Sequence, residues 1–215
     1  MNVVKRILIV DDHTIVRQGV IRVLQDILEQ PVEFHEACTG RQTLDMACSC
    51  EYNLVLLDIS LPDQNGLNVL KALQQKHPRL PVIMVSTHPE EHYAVRALRA
   101  GASGYVNKGD AAVVLKEAIE KVLAGRRYVT PSQAELLADA LCDGAEPAVL
   151  HHALSDREYQ LACMMAAGKT LTEIARELSL SVKTVSTYRT RVLEKLHLRS
   201  TADIINYCIQ NGLTL

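Results

Sequence analysis

The sequence predicts an α/β fold joined to a second, all-α domain. Short apolar runs alternate with amphipathic stretches over the first 124 residues, and only helical patterns follow residue 151. Five βα units in series predict a doubly wound, five-stranded parallel sheet, because helical crossovers join parallel strands. A chain of 215 residues can form two domains of ordinary size. We therefore predict an α/β domain over 1–124, a linker with a short helix over 125–150 and a four-helix domain over 151–215.

Five apolar runs rich in Val, Ile and Leu are the predicted strands. They cover 6–10, 32–37, 54–58, 82–86 and 104–106. Most do not alternate between apolar and polar residues, which is typical of strands buried on both faces. The helices between them are predicted at 15–28, 41–50, 67–76, 90–100 and 111–124. In the first of these, Val16, Val20 and Val23 lie on one apolar face.

The segment from 125 to 131 breaks this pattern, and a short helix is predicted over 132–141 before a flexible link at 142–148. The second domain begins at a capping box, in which Ser155 and Glu158 satisfy free backbone N–H groups. Its first helix is predicted to end at 167 and is followed by helices at 171–178 and 182–196. Ser200 caps the fourth, which ends before Gly212.

The distribution of charge separates the two predicted domains. Residues 151–215 have 8 basic and 6 acidic side chains, a net charge of +2, while residues 1–150 have 15 and 19, a net charge of −4. This pattern favours contact with nucleic acid through the second domain alone. No apolar run approaches the length of a membrane helix or a signal peptide core, and the six cysteines include no CxxC pair, so we expect a cytoplasmic protein.

Polar residues follow four of the predicted strands. They are Asp11 and Asp12 after the first, Asp58 at the end of the third, Ser86 at the end of the fourth and Lys108 after the fifth. Ligands of doubly wound sheets bind at the carboxyl ends of strands, so these side chains are expected to form one pocket. Three carboxylates would repel one another there, and Mg²⁺ would relieve the repulsion. With a lysine nearby, the pocket suits phosphoryl transfer to a carboxylate.

Each of these residues also has a simpler interpretation. Asp12 could cap the next helix, Ser86 or Thr87 could cap the helix after the fourth strand, and Lys108 could be a solvated charge. The coincidence of all five residues at one sheet edge favours a shared site. Three histidines near the predicted pocket mouth are expected to be solvated rather than metal ligands: His13, His88 and His92.

Over residues 5–124 the sequence resembles a receiver domain, which has a flavodoxin-like sheet. The resemblance is carried by Ile7-Leu8-Ile9-Val10-Asp11-Asp12-His13, by Leu54-Val55-Leu56-Leu57-Asp58-Ile59-Ser60-Leu61-Pro62-Asp63-Gln64-Asn65-Gly66 and by Gly101-Ala102-Ser103-Gly104-Tyr105-Val106-Asn107-Lys108. It implies that Asp58 is the phosphoacceptor and that Lys108 pairs with the phosphate. Mg²⁺ would be bound by Asp58, by Asp12 directly, by Asp11 through water and by the backbone carbonyl of Ser60. Many receivers have Pro at the position of Gly109. The glycine of this chain argues against a rigid cis turn there.

The same resemblance implies that Ser86 and Tyr105 are a switch pair. The hydroxyl would move toward a phosphoryl oxygen and the ring would turn inward behind it. A phosphoryl group on Asp58 adds a charge of about −1.5 to −2 and strong acceptor oxygens, which Ser86 and Lys108 can satisfy. We therefore expect the ends of the fourth and fifth strands, with helix 90–100 between them, to shift.

The predicted helix 182–196 combines an apolar stripe of Val185, Val192 and Leu196 with a polar face. That face carries hydroxyl and charged side chains: Lys183, Ser186, Thr187, Thr190, Arg191 and Glu194. Hydroxyl side chains can contact bases or phosphates in a major groove, and basic residues, here Arg189, Arg191 and Lys195, can neutralise phosphates. The alternative interpretation is an ordinary solvated helix face.

Residues 151–215 resemble a LuxR-type helix-turn-helix. The matching segments are Leu154-Ser155-Asp156-Arg157-Glu158, Ala167-Gly168-Lys169-Thr170-Leu171-Thr172-Glu173-Ile174-Ala175, Leu180-Ser181-Val182-Lys183-Thr184-Val185-Ser186-Thr187-Tyr188 and Lys195-Leu196. The resemblance makes the third helix the recognition helix. Base contacts are implied near Lys183, Ser186, Thr187 and Thr190, and backbone contacts from Tyr188, Arg189 and Arg191. Ser186 and Tyr188 stand where Lys and His are common, which suggests a shallower salt dependence of DNA binding or more reliance on Arg189 and Arg191.

Together the two resemblances indicate a two-component response regulator of the NarL/FixJ type. We expect a sequence-specific transcription factor that a sensor histidine kinase phosphorylates on Asp58, with relief of an interdomain contact, dimerisation, or both. Its expected partners are double-stranded DNA, the kinase and a second copy of the chain, with no membrane. No enzymatic activity is expected beyond its own phosphotransfer and dephosphorylation.

Two other classes of function are compatible with parts of the sequence. A Mg²⁺-dependent hydrolase, such as an aspartyl-phosphate phosphatase, would need a second acid/base carboxylate beside Asp58, and the sequence suggests no candidate. A DNA-binding protein that is independent of phosphorylation would have a vestigial receiver. The full set of pocket residues argues against such degeneration.

Overall fold

The computed structural model describes residues 5–28, 31–110, 112–142 and 150–213. Its contacts divide the chain into two compact units, Met1–Leu137 and Ala138–Leu215. The boundary between these units lies inside the segment 125–150 that the sequence analysis assigns to a linker. Among the described residues, no helix is long and apolar enough to cross a membrane.

The first unit confirms the predicted doubly wound sheet. Its elements are β1 (Lys5–Val10), α1 (Thr14–Ile27), β2 (Val32–Ala37), α2 (Gly40–Ser49), β3 (Leu54–Leu57), α3 (Gly66–Lys76), β4 (Val82–Ser86), α4 (Glu90–Arg99), β5 (Gly104–Asn107) and α5 (Ala112–Leu123). The strand order is β2-β1-β3-β4-β5, and every neighbouring pair is parallel. All residues of β3 and β4 are buried, as expected for strands covered by helices on both faces.

The backbone hydrogen bonds of the sheet continue past the strand ends into the polar residues. The N–H of Asp58 donates to the carbonyl of Val10 over 2.9 Å, and the N–H of Lys108 donates to the carbonyl of Ser86 over 2.8 Å. These bonds place both residues at the carboxyl edge of the sheet. The predicted convergence of polar residues at this edge therefore follows from the parallel strand pairing.

A hydrophobic core anchors the sheet against the helices of one face. Ile7, Leu56 and Ile83 of the central strands pack with Ile119 of α5, and all four are at most 2% exposed. Burial of a side chain of this size stabilises the fold by about 1.5–3 kcal/mol. The strands that carry the pocket residues are thereby held rigidly.

The loop after β3 is packed tightly around the backbone of Asp58. The N–H of Gly66 donates to the carbonyl of Ile59 over 2.8 Å, and the side chain of Asn65 caps α3 by accepting from the N–H of Leu67 over 2.8 Å. A Cβ atom on Gly66 would lie 2.0 Å from the carbonyl oxygen of Asp58. Only glycine fits at this position without moving the backbone of Asp58.

A short segment after α5 belongs to the first unit. Tyr128 is 5% exposed and packs into the hydrophobic core, and its N–H donates to the carbonyl of Ser103 over 2.8 Å. The next helix, α6 (Pro131–Cys142), begins in the first unit and crosses the boundary between residues 137 and 138. The predicted short helix over 132–141 is thus present, while part of the predicted link at 142–148 lies outside the described residues.

The second unit confirms the all-α prediction. After a short 3₁₀ turn at Leu150–Ala153 it contains α7 (Asp156–Ala166), α8 (Leu171–Glu177), α9 (Val182–Lys195) and α10 (Thr201–Gln210). The predicted capping box at Ser155–Glu158 and the predicted cap by Ser200 are both present; Asp203 completes a capping box with Ser200, and Ser181 caps α9. Ile174, Val185, Val192 and Ile204 are fully buried and form the centre of the helical packing.

Replacement of Gly66 by alanine is expected to destabilise the first unit. The added Cβ would displace the backbone of Asp58, and overpacking of this kind costs about 1–3 kcal/mol. Chemical denaturation monitored by circular dichroism would measure the change. Gly19→Ala in α1 is the matched control, because nothing lies within 4 Å of its Cβ position and alanine favours a helix by about 0.5–1 kcal/mol. Equal stability of the two variants would contradict the packing argument.

The carboxylate of Glu158 is expected to make the stability of the second unit depend on pH. Burial works to raise its pKa, but the ammonium of Lys195 at 2.7 Å and the bonds from Ser155 hold the pKa below the ordinary value for glutamate. Because the pKa is lower in the folded state, the stabilisation is complete above about pH 4.3 and is lost as the pH falls through the folded-state pKa. Glu158→Gln should cost about 1 kcal/mol at neutral pH, since Lys195 is 40% exposed and screened.

Hydrogen exchange of the α7 amides at several pH values, corrected for intrinsic rates, measures this effect in the full chain. Glu173→Gln is the control, because Glu173 occupies the equivalent capping position of α8 in an exposed setting. An equal and pH-independent loss of protection in both variants would show that the ion pair with Lys195 contributes nothing.

Candidate functional site

One ammonium group joins two of the predicted pocket carboxylates. Nζ of Lys108 lies 2.5 Å from Oδ2 of Asp11 and 2.8 Å from Oδ2 of Asp58. The carboxylates of Asp11 and Asp58 are each 4% exposed, and the lysine side chain is 14% exposed. The structure therefore brings together residues from the ends of β1, β3 and β5, and Lys108 is not the solvated charge of the simpler interpretation.

The electrostatics of this group follow from burial and pairing. Burial raises the pKa of Asp58, and the attraction of Lys108 only partly opposes this rise. Burial works to lower the pKa of Lys108, but the two neighbouring carboxylates hold it above the ordinary lysine value. Oδ1 of Asp58 also accepts from the N–H of Ile59 over 2.7 Å. The site thus holds a buried carboxylate of fixed orientation beside a lysine that stays charged.

The residues predicted to hold Mg²⁺ offer oxygen atoms, which this hard cation prefers. Donor atoms of Asp11, Asp12 and His13 lie within 4.8 Å of one another. Nδ1 of His13 is 2.7 Å from Oδ1 of Asp12, and its ring is 70% exposed. Lys108 pairs with the carboxylates of Asp11 and Asp58, and the carboxylate of Asp12 adds a third negative charge, so a divalent cation would complete the balance of charge. Receiver domains in general bind Mg²⁺ at an acidic pocket of this kind, and the donor set present fits that ion.

The predicted switch residues lie beside this group. Ser86 and Tyr105 are both fully buried, and burial raises the pKa of the Tyr105 phenol. The Tyr105 hydroxyl donates to the backbone carbonyl of His88 over 2.6 Å. The N–H of His88 donates to the hydroxyl of Ser86 over 3.3 Å. The backbone of one loop residue therefore links the two members of the predicted switch pair.

His88 has a role that the sequence analysis did not assign. Its Nε2 lies 3.1 Å from the hydroxyl of Ser60, and its ring stacks on Tyr93 with centroids 4.6 Å apart. It is a partly buried bridge between the loop after β3 and the start of α4, so the expectation of an ordinary solvated histidine is wrong for His88. The side chain of His92 lies outside the described residues.

The helix-capping interpretation of the pocket residues is also wrong. The N-cap of α1 is His13, without a side-chain bond, and the N-cap of α4 is Pro89. Asp12, Ser86 and Thr87 therefore cap neither helix. An acidic residue that the sequence analysis left unassigned, Asp63, accepts from the N–H groups of Gly40 and Arg41 over 2.8 Å each and so anchors the β3–α3 loop to α2.

All of the predicted DNA-binding residues lie on α9. Four of them are exposed: Lys183, Thr187, Thr190 and Arg191. Ser186, Tyr188 and Arg189 are half-buried, and Nε of Arg189 donates to the hydroxyl of Thr201 over 2.7 Å. Lys195, which the sequence analysis offered as a phosphate contact, pairs with Glu158 and donates to the carbonyl of Ala153. Arg191 is exposed, and its guanidinium carbon lies 6.0 Å from the centroid of the Tyr188 ring on the same helix.

Two protein families match the two units. Residues 7–120 match the response regulator receiver domain, and residues 152–208 match the bacterial regulatory proteins of the luxR family. The first match spans more than half of the chain and includes every predicted residue of the acidic pocket.

The chain is a response regulator of the NarL/FixJ type.

Relatives support this membership over nearly the whole length of the chain. Response regulator GacA of Pseudomonas viridiflava is 36% identical over 211 residues, with 97% of each chain covered. Response regulator UvrY of Escherichia coli is 31% identical over 207 residues, which cover 96% of this chain and 94% of the relative. This response regulator thus joins a receiver to a LuxR-type DNA-binding domain and belongs to a family of transcription factors rather than of classical enzymes.

Solved structures agree with the fold. A LuxR-family two-component response regulator from Aurantimonas sp. is 31% identical with a TM-score of 0.58, over 65% of this chain and 99% of that chain. RcsB of Salmonella enterica serovar Typhimurium, solved bound to a promoter in the presence of the phosphomimetic BeF3-, is 23% identical with a TM-score of 0.58, over 94% of this chain and 97% of that chain. The latter supports the architecture alone.

Proposed function

We propose that phosphorylation of Asp58 by a sensor histidine kinase controls the binding of this response regulator to DNA. The observation that carries the proposal is the ammonium of Lys108, which holds the buried carboxylates of Asp58 and Asp11 in one cluster. A carboxylate fixed at the end of a central strand, beside a charged lysine, is suited to act as the acceptor of a phosphoryl group.

In the proposed reaction, a carboxylate oxygen of Asp58 attacks the phosphorus atom of a phosphohistidine. A bond forms between that oxygen and phosphorus while the bond from phosphorus to the imidazole nitrogen breaks, and the nitrogen keeps the electron pair. The ammonium of Lys108 then pairs with a phosphoryl oxygen. Mg²⁺, held by Asp58, Asp12, Asp11 through water and the carbonyl of Ser60, would neutralise further charge on the phosphoryl group.

The switch would act through the two buried hydroxyl groups. The Ser86 hydroxyl would move toward a phosphoryl oxygen and donate to it, and this movement would lengthen the bond that the hydroxyl now accepts from the N–H of His88. Because the carbonyl of His88 accepts from Tyr105, a shift of this loop changes the environment of the ring. The position of α4 would follow, as a two-state change rather than a new fold.

The output of the switch is proposed to be DNA binding by α9. Lys183, Ser186, Thr187 and Thr190 would contact bases, with Tyr188, Arg189 and Arg191 on the backbone. A domain of this size makes few base contacts, so two copies on paired half-sites would provide useful affinity. Phosphorylation would favour that state by relief of an interdomain contact and by dimerisation. Since the proposed partner is double-stranded DNA, we propose that the protein acts in the cytoplasm, with residues 1–124 as the receiver and 151–215 as the DNA-binding domain.

Replacement of Asp58 by alanine should abolish phosphorylation and its effect on DNA binding. Each protein would be incubated with Mg²⁺ and a small-molecule phosphodonor, and intact mass, oligomeric state and DNA affinity would be measured. We expect a mass increase of one phosphoryl group and tighter DNA binding in wild type and in Asp26→Ala, an exposed aspartate of α1, but not in Asp58→Ala. Absence of modification in wild type, with equal DNA binding in all three proteins, would leave a constitutive DNA-binding protein.

Removal of the charge of Arg191 should weaken DNA binding in a salt-dependent manner. If Arg191 neutralises one phosphate, Arg191→Gln lowers the slope of log affinity against log salt concentration by about 0.9. Fluorescence anisotropy at several salt concentrations measures that slope. Lys116→Gln, which removes an equivalent charge from α5, should leave the slope unchanged. The same slope for Arg191→Gln and wild type would remove Arg191 from the interface.

A further inference from the structure

The edge strand β5 is covered by the chain segment that follows α5. Within the described residues β5 has one neighbouring strand, β4, so some of its backbone groups need partners from elsewhere. The carbonyl of Ser103 accepts from the backbone N–H of Tyr128 over 2.8 Å. Two residues along, the carbonyl of Tyr105 accepts from Nε2 of Gln133 over 3.1 Å. The segment 128–133 thus satisfies successive carbonyls along the open side of the strand that carries the proposed switch tyrosine.

Tyr128 anchors this segment against the sheet. Its ring is almost fully buried in the hydrophobic core, with Nζ of Lys121 5.3 Å from the ring centroid. A Cβ atom on Gly104 of β5 would lie 3.1 Å from Cβ of Tyr128 and 3.2 Å from its carbonyl oxygen. The close approach depends on the missing side chain at Gly104. The segment is therefore packed against β5 and not merely adjacent to it.

Gln133 is the polar centre of the contact and is 1% exposed. Its Oε1 accepts from the N–H of Thr130 over 3.3 Å, while its own N–H donates to the hydroxyl of Thr130 over 3.2 Å, which makes a capping box at the start of α6. Its Nε2 donates to Oε2 of Glu90 over 2.9 Å as well as to the Tyr105 carbonyl. Ser132 donates to the other carboxylate oxygen of Glu90.

Helix capping alone does not account for these bonds. A capping box needs only the side-chain oxygen of the residue at its third position, and glutamate serves there as well as glutamine. The two bonds donated by Nε2 require an amide, and both leave α6 for other elements. One reaches the first residue of α4, and the other reaches the backbone of β5 at Tyr105. These are the two elements that the proposed switch moves.

We propose that Gln133 is a positioning residue that couples the switch elements α4 and β5 to α6. α6 includes residues on both sides of the boundary at 137/138, so its first turn belongs to the helix that leads out of the first unit. The inference rests on the proposed phosphorylation of Asp58. It adds that Gln133 transmits a change at Tyr105 and α4 to α6.

Gln133→Glu tests the coupling with little change in shape. The glutamate keeps the capping box of α6, but it cannot donate to Tyr105 and it places a second carboxylate beside Glu90. In the double variant Glu90→Gln/Gln133→Glu, the new amide at position 90 can donate to the new carboxylate, so the link to α4 is restored. Gln133→Met, which keeps the length of the side chain without polar atoms, tests the same bonds without added charge. Glu135→Gln, on the exposed side of α6, is the matched control.

The experiment uses full-length proteins with and without beryllofluoride and Mg²⁺. Each variant is first shown to remain folded by thermal unfolding. The first measurement is the ratio of the DNA affinities of treated and untreated protein. The second is the hydrogen-exchange protection of the α6 amides in the same two states. In Gln133→Glu and Gln133→Met we expect Asp58 to react with acetyl phosphate as in wild type. The affinity ratio should fall by about fivefold or more, and the hydrogen-exchange protection of α6 should no longer change on treatment. The double variant should recover part of the ratio, and Glu135→Gln should keep all of it.

The outcomes separate this inference from the function on which it rests. A wild-type chain that responds to beryllofluoride, together with Gln133→Glu and Gln133→Met chains that respond equally, would overturn the role of Gln133 and leave the proposed function intact. A wild-type chain with no change in DNA affinity would overturn the proposed function and, with it, the coupling. Failure of the double variant to recover any response would restrict the coupling to the bond with Tyr105 and overturn the part assigned to Glu90.

Discussion

The ammonium of Lys108 is the interaction on which the first unit depends. It holds two carboxylates that are almost completely buried, and a buried carboxylate without a partner is strongly destabilising. The parallel pairing of β1, β3 and β5 with their neighbours places Asp11, Asp58 and Lys108 at one edge, so the ion cluster and the sheet stabilise each other. The two carboxylates carry more negative charge than Lys108 offsets, so the site suits a divalent cation, while the charged ammonium suits pairing with a phosphoryl oxygen.

The residues around this cluster connect it to the rest of the receiver. The backbone of His88 accepts from Tyr105 and donates to Ser86, and its ring bonds to Ser60. The β4–α4 loop therefore contacts both the loop after β3 and the strand β5. On the opposite side of Tyr105, its carbonyl is held by Gln133. In the proposed switch, a displacement at Asp58 would reach α4 and α6 through these hydrogen bonds.

The second unit is stabilised by other interactions than the first. Its short helices are held by capping boxes and a small apolar core, and the ion pair of Glu158 with Lys195 ties the start of α7 to the end of α9. That pair engages Lys195 with Glu158, while Lys183 and Arg191 lie exposed on the polar face of α9. The modest charge of this face fits the proposal that DNA affinity is gained from two copies rather than from one strongly basic domain.

The sequence by itself determined the order of the elements, the two domain types and the pocket residues. These follow from local patterns: unbroken apolar strands, capping residues and polar residues placed at strand ends. The bonds of His88, the anchoring of the β3–α3 loop by Asp63 and the docking of Tyr128 and Gln133 on β5 were decided only by the tertiary structure. Each joins residues far apart in the chain, and nothing in the local sequence shows which backbone carbonyl a distant glutamine or tyrosine will meet. For that reason the segment after α5 reads as a linker in sequence and is packed against the sheet in the fold.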